Sequence, residues 1–155
     1  MSTVGNDAEF RQAITALDRS AQRALAARFL QNVLPLAGDE RINRVAGVAA
    51  RPDATDRDLG EALHLARAVA VEMHARCGAE CNWQDQAGYF VARAALAAVS
   101  PEGQLPGGPA WQTAMSSRMA RTCQSIELTE DMAGREQQAQ YQILSEFLDT
   151  QREVS

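Results

Sequence analysis

From Gly88 to Val99 the chain is apolar on nearly every side of a helical wheel, with Arg93 as its one charge. A helix without a polar face belongs in an interior. Five of its residues (Ala92, Ala94, Ala95, Ala97 and Ala98) are alanine. Alanine is the best helix former and fills little volume, so neighbouring helices can approach closely. The same bias runs through the whole chain: 29 of its 155 residues are alanine, against 30 Leu, Ile, Val and Phe together. No segment shows the strict apolar–polar alternation of a strand. The expected fold is all-α, one domain over residues 1–155. It is a compact bundle or short helical stack of about six to seven helices, with the 88–99 helix central.

Local signals divide the chain. Residues 1–6 read as a flexible start. Asn6 and Asp7 are capping residues ahead of Phe10, Ile14 and Leu17 at helical spacing. Asp18 or Ser20 suits the start of a second helix with Leu25, Phe29, Val33 and Leu36, ended by Pro35 and Gly38; whether it merges with the first is open. A third follows Asp39, with Ile42, Val45, Ala46 and Ala49 on one face. Arg51-Pro52 ends it, because the residue before proline is pushed out of helical geometry. Thr55 is an N-cap with Asp56 and Asp58 at the positive end of the next helix dipole. That helix carries the stripe Leu59, Ala62, Leu63, Ala66, Ala70, Met73 and Cys77, with Gly78 as its stop. The fifth runs from about Asn82 to Ser100-Pro101. Residues 100–109 hold three prolines and three glycines and form a loop. The sixth helix carries Trp111, Met115, Met119, Cys123 and Ile126, a spacing that reads as core. Thr129 can cap a seventh with Met132, Tyr141, Ile143, Leu144, Phe147 and Leu148, whose glutamine-rich first half is expected to bury little.

Charge is segregated. All 15 basic residues are arginines, and the formal net charge is −5. Residues 1–126 balance, while residues 127–155 carry seven acids and two arginines, so the whole imbalance lies in the C-terminal helix and tail. Glu127, Glu130, Asp131 and Glu136 are therefore the candidate surface for a basic protein partner, since an acidic face steers a basic one. The plainer reading of the same residues is a solvated helix face. The balance is wrong for a nucleic-acid binder. No apolar run approaches the roughly 20 residues of a membrane helix. No basic start followed by an apolar block is visible, so a cytoplasmic setting is expected. Arg41, Arg44, Arg51 and Arg57 interleave with Asp39, Glu40, Asp53, Asp56 and Asp58, which points to local ion pairs.

Catalytic chemistry has no clear carrier. His74, Cys77 and Cys81, with Cys123 as a possible fourth ligand, are the residue types of a zinc site. Against that, three cysteines are an odd number and do not suggest a disulfide scaffold. Cys77 also lies on an apolar stripe, where a free cysteine acts as a small hydrophobe. No cofactor is the expected state, with zinc the alternative. Glu61 and His64 form a Glu-x-x-His pair of the di-iron type, but the second pair is missing, and helical angles turn this one away from the core. The glycines from Gly103 to Gly108 lack the lysine of a phosphate loop. Trp111, Met115 and Met119 could line a small apolar pocket.

The order of these elements resembles a known family. It comprises Arg23 to Leu36 (RALAARFLQNVLPL), then Asp39-Glu40-Arg41, Val45-Ala46, a Gly/Pro/Asp break and the Ala/Arg helix from Leu59 to Cys77. Gly88 to Val99 and Glu136-Gln137-Gln138 leading to Tyr141, Leu144 and Leu148 complete it. The pattern is similar to the small all-helical immunity proteins of bacteria, which neutralise a cognate toxin. It departs from them where Arg41-Ile42 stands in place of an Arg-Pro. The resemblance spans roughly Arg23 to Leu148 and implies a binding role, with no catalytic residues to carry over.

Overall fold

The computed structural model describes residues 4–77, 82–101 and 103–154, apart from the side chains of Glu127 and Val154. These described residues form seven α-helices: α1 (Asp7–Thr15), α2 (Arg19–Val33), α3 (Glu40–Ala50), α4 (Asp56–Arg76), α5 (Trp83–Ala98), α6 (Pro109–Leu128) and α7 (Met132–Val154). A short 3-10 turn, Leu34–Leu36, closes α2. Among the described residues there is no strand. The protein is an all-α bundle.

Side-chain caps explain where the helices begin. Asn6 accepts from the Glu9 amide, Asp18 from Ala21, Asp39 from Arg41 and Asn82 from Asp85. Thr55 and Asp58 form a reciprocal capping box at the start of α4. Each such cap satisfies a backbone donor that the helix cannot. The cap at Asp18 also makes α1 and α2 two helices.

Helix α5 sits at the centre, as its composition requires. Ala87, Gly88, Val91, Ala92, Ala94, Ala95, Ala97 and Ala98 are all buried, and α2, α3, α4 and α6 pack around it. Bulk comes from the surrounding helices, chiefly Leu25, Phe29, Leu30 and Val33 of α2 and Ile42 and Val45 of α3. The most extensive pairing is with α6. There the inward line is Ala110, Thr113, Ala114, Ser117 and Ala120, all fully buried. Thr113 Oγ1 donates to the Ala94 carbonyl across the interface at 3.2 Å, a bond that needs the two backbones close together.

This corrects the sequence reading of α6. The Trp111–Met115–Met119–Ile126 stripe is core only in part: Trp111 and Met115 are half-buried against the core, but Met119 is 46% and Ile126 70% exposed. Of that stripe only Cys123 is buried. Periodicity identifies two faces of this helix, and the alanine surface of α5 selects the small one, because bulky side chains would hold the helices apart.

Two further details differ. Thr129 does not cap α7; it ends α6 in the left-handed conformation, φ 53°. Asp131 makes the first-turn cap instead, accepting from the Gly134 amide at 2.9 Å. At the other end of α6, Gly107 and Gly108 both have positive φ, 80° and 90°. A Cβ at Gly107 would lie 2.6 Å from Trp111 Cδ1, and one at Gly108 would strike the Gln22 side chain. Replacing Ala95 by leucine is expected to lower stability by about 1–3 kcal/mol or more through overpacking. Met119→Ala on the outer face should change it by less than about 0.5 kcal/mol. Urea unfolding of both variants checks the assignment of the two faces.

Candidate functional site

The charged residues of α6 and α7 fall into two groups, one turned inward and one left on the surface. In the inward group, Arg118 donates from both terminal nitrogens to the two carboxylate oxygens of Asp7, each at 3.0 Å. Its Nε donates to Gln140 Oε1 at 2.8 Å, and the guanidinium lies over the Phe10 ring at 5.3 Å. Gln140 is fully buried and donates on to the Ala114 carbonyl. The Tyr141 hydroxyl donates to Asp7 at 2.8 Å. The Arg118 guanidinium holds the Asp7 carboxyl down at about 2, opposed by burial and helped by Tyr141. Burial, reinforced by the adjacent carboxylate, pushes the Tyr141 phenol up.

The second inward arrangement centres on Glu136, only 2% exposed. Arg121 Nε donates to it at 3.0 Å, and Asn32 Nδ2 lies 3.0 Å from both of its oxygens. Arg121 also donates to the Asn32 carbonyl at 2.9 Å and to Gln124 at 3.0 Å. The buried carboxylate thus has a counter-ion and hydrogen-bond donors, which is the condition for tolerating it. These contacts join the glutamine-rich half of α7 to α1, α2 and α6. That half is therefore not the weakly buried surface its composition suggests, and Glu136 is an interior residue rather than part of an acidic face.

The exposed acids of the C-terminal stretch are divided between the turn joining α6 to α7 and the far part of α7. Glu130 is exposed and pairs with Arg135 at 2.9 Å. Asp131 is exposed and caps α7. The Glu127 side chain lies outside the described residues. Further along α7, exposed Glu146 faces Arg28 at 3.6 Å.

The other candidates are dispersed. His74 is exposed and its ring packs on Tyr89, with centroids 5.3 Å apart. Cys77 is disulfide-bonded, so its sulfur is not a thiolate ligand in this state, nor is it the free cysteine that its place on the apolar stripe implies. Cys81 lies outside the described residues. Cys123 is a buried free thiol on α6, its pKa raised by desolvation. Among the described residues no three His, Cys, Asp or Glu side chains converge as metal ligands. Glu61 and His64 are exposed, with Glu61 paired to Arg57 at 3.2 Å, pointing away from the core as their helical angles require. Trp111 packs on Phe10 at 6.0 Å beneath Arg11, Met115 is half-buried against the core and Met119 is exposed. The expected local ion pairs form: Arg41 joins Asp39 and Glu72, and Arg51 joins Asp53 and Asp58. A cleft of about 330 Å³ between α3 and α4 has Val45, Val48, Ala62 and Leu65 below Arg44, Arg51, Asp58 and Glu61. Its rim carries both signs of charge and favours neither. Among the described residues no helix is long and apolar enough to cross a membrane. Comparison of the chain with protein-family models, curated proteins and solved structures gave no match.

No short-range motif announces the two inward networks, since Asp7 and Arg118 are 111 residues apart and Asn32 and Glu136 are 104 apart. Arg121→Met leaves Glu136 buried without its counter-ion and is expected to cost about 3–5 kcal/mol. Arg121→Met with Glu136→Leu should cost less than Arg121→Met alone, a comparison that denaturant titration resolves. The Asp7 carboxyl is depressed in the fold, so its contribution is present above the unfolded carboxylate range. It is lost as pH falls from about 4 through about 2. With the Asp7 side chain 45% exposed, screening limits this to about 1 kcal/mol. The stability gap between wild type and Asp7→Asn should be constant from pH 7 to 5 and narrow below pH 4.

Proposed function

We propose that this chain is a non-enzymatic protein-binding module, an immunity-type protein that masks a basic cognate toxin through the acidic α6–α7 turn. One observation carries the reading. The whole formal charge of −5 is confined to residues 127–155. With Glu136 paired inside, Glu130 and Asp131 are the exposed carboxylates of the α6–α7 turn, while Glu146 and Glu153 are exposed further along α7. The family resemblance of the helix order from Arg23 to Leu148 supports the same role. Acidic rims raise association rates with basic partners more than they raise affinity, so Glu130 and Asp131 act as steering groups.

An immunity protein is commonly encoded beside its toxin. The product of the adjacent gene, expressed alone, is expected to arrest growth, and coexpression of this chain to relieve the arrest. Double charge reversal, Glu130→Lys with Asp131→Lys, should slow association with that product by about tenfold at low salt and flatten its salt dependence. A neighbour that does not bind the chain overturns the immunity reading; binding with unchanged kinetics overturns the role of the acidic corner.

A further inference from the structure

Four large apolar side chains are exposed among the described residues: Val71 stands alone on α4, and the other three lie on α6. Met119, Ile126 and Leu128 are 46%, 70% and 45% exposed, and all three lie in the second half of α6. Met119 and Ile126 share the outer face with half-buried Met115 and with exposed Thr122, which lies between them. That face bears no charge: both arginines in the middle of the helix, Arg118 and Arg121, turn inward to Asp7 and Glu136. The uncharged strip ends against the acidic corner, since Glu127, Glu130 and Asp131 follow Ile126 within five residues. Contiguous exposed apolar surface with a polar rim marks interaction sites, and methionine adapts its shape to a partner better than branched residues do.

We infer that the outer face of α6 is the anchoring half of a two-part docking surface, and that its occupant is a basic amphipathic helix of a partner protein. The occupant follows from complementarity. Apolar side chains at helical spacing would cover Met119 and Ile126, while lysines or arginines beside them would meet Glu130 and Asp131. A purely apolar partner would strip water from the Glu130 and Asp131 carboxylates without adding a cation, and a purely basic one would leave the apolar strip in water. This rests on the acidic-corner reading and divides the labour within it: the carboxylates govern the approach, and the two apolar side chains govern how long the complex lasts. Buried apolar anchors at the centre of an interface dominate its dissociation rate.

The test uses the full chain and two labelled synthetic peptides of about 18 residues built from leucine and lysine. One has its leucines at helical spacing and the other has the same composition scrambled. The amphipathic peptide is expected to bind at least about tenfold more tightly than the scrambled one. Met119→Ser with Ile126→Ser should abolish that preference through faster dissociation, with an unchanged melting temperature because both sites are exposed. Glu130→Gln with Asp131→Asn, which keeps a capping side chain at the start of α7, should instead slow association and reduce its salt dependence. Equal binding of the two peptides, or a preference unaffected by the serine substitutions, overturns the anchor and leaves the acidic corner standing. If neither peptide binds the wild-type chain, both are overturned.

Discussion

The close approach of α5 and α6 organises the molecule. Alanine along α5 meets Ala110, Thr113, Ala114, Ser117 and Ala120 of α6, and a side chain–carbonyl hydrogen bond crosses the seam. Small side chains gain dispersion energy only when the backbones come near enough for many atoms to touch. Once that seam is set, the rest of α6 has little choice. Its larger apolar residues are carried to the outer face, and its arginines are carried toward α1 and α7. An uncharged apolar strip and two inward-pointing cations are therefore consequences of one packing decision.

Those inward cations account for the behaviour of α7. Its first half is too polar to be held by hydrophobic burial alone, yet Glu136 and Gln140 are interior residues. Arg121 and Arg118 supply the charge and the donors that make such burial tolerable, with Asn32 and Asp7 completing the two networks. Low local dielectric makes a satisfied network specific and a broken one costly. Here the networks fix the register of α7 on α6 and bring α1, a short helix of nine residues, into a defined place. The same contacts remove Glu136 from the surface, so the C-terminal stretch exposes fewer carboxylates than its formal charge suggests.

The fold was largely readable. Helix number, most caps and the central place of Gly88–Val99 follow from rules that act over a few residues. Asn6, Asp18, Asp39, Thr55 and Asn82 cap the helices they precede, and the Arg41 and Arg51 ion pairs form between near neighbours or adjacent helices. The site was less readable. The inward face of α6 is not legible because apolar spacing alone cannot weigh a bulky stripe against a small one when the opposing helix is alanine-lined. The burial of Glu136 is not legible because its partners come from distant parts of the chain. Asp131 rather than Thr129 caps α7 because Thr129 is taken up by the left-handed end of α6.

Sequence by itself determined that this chain is helical, where its helices start, which helix is central and that its excess negative charge lies near the C-terminus. Each of these is a local property, set by propensity, capping or composition. Tertiary structure alone decided which face of α6 is buried, which carboxylates remain at the surface and which apolar side chains are left uncovered beside them. Those outcomes depend on the shape and charge that one helix meets on another.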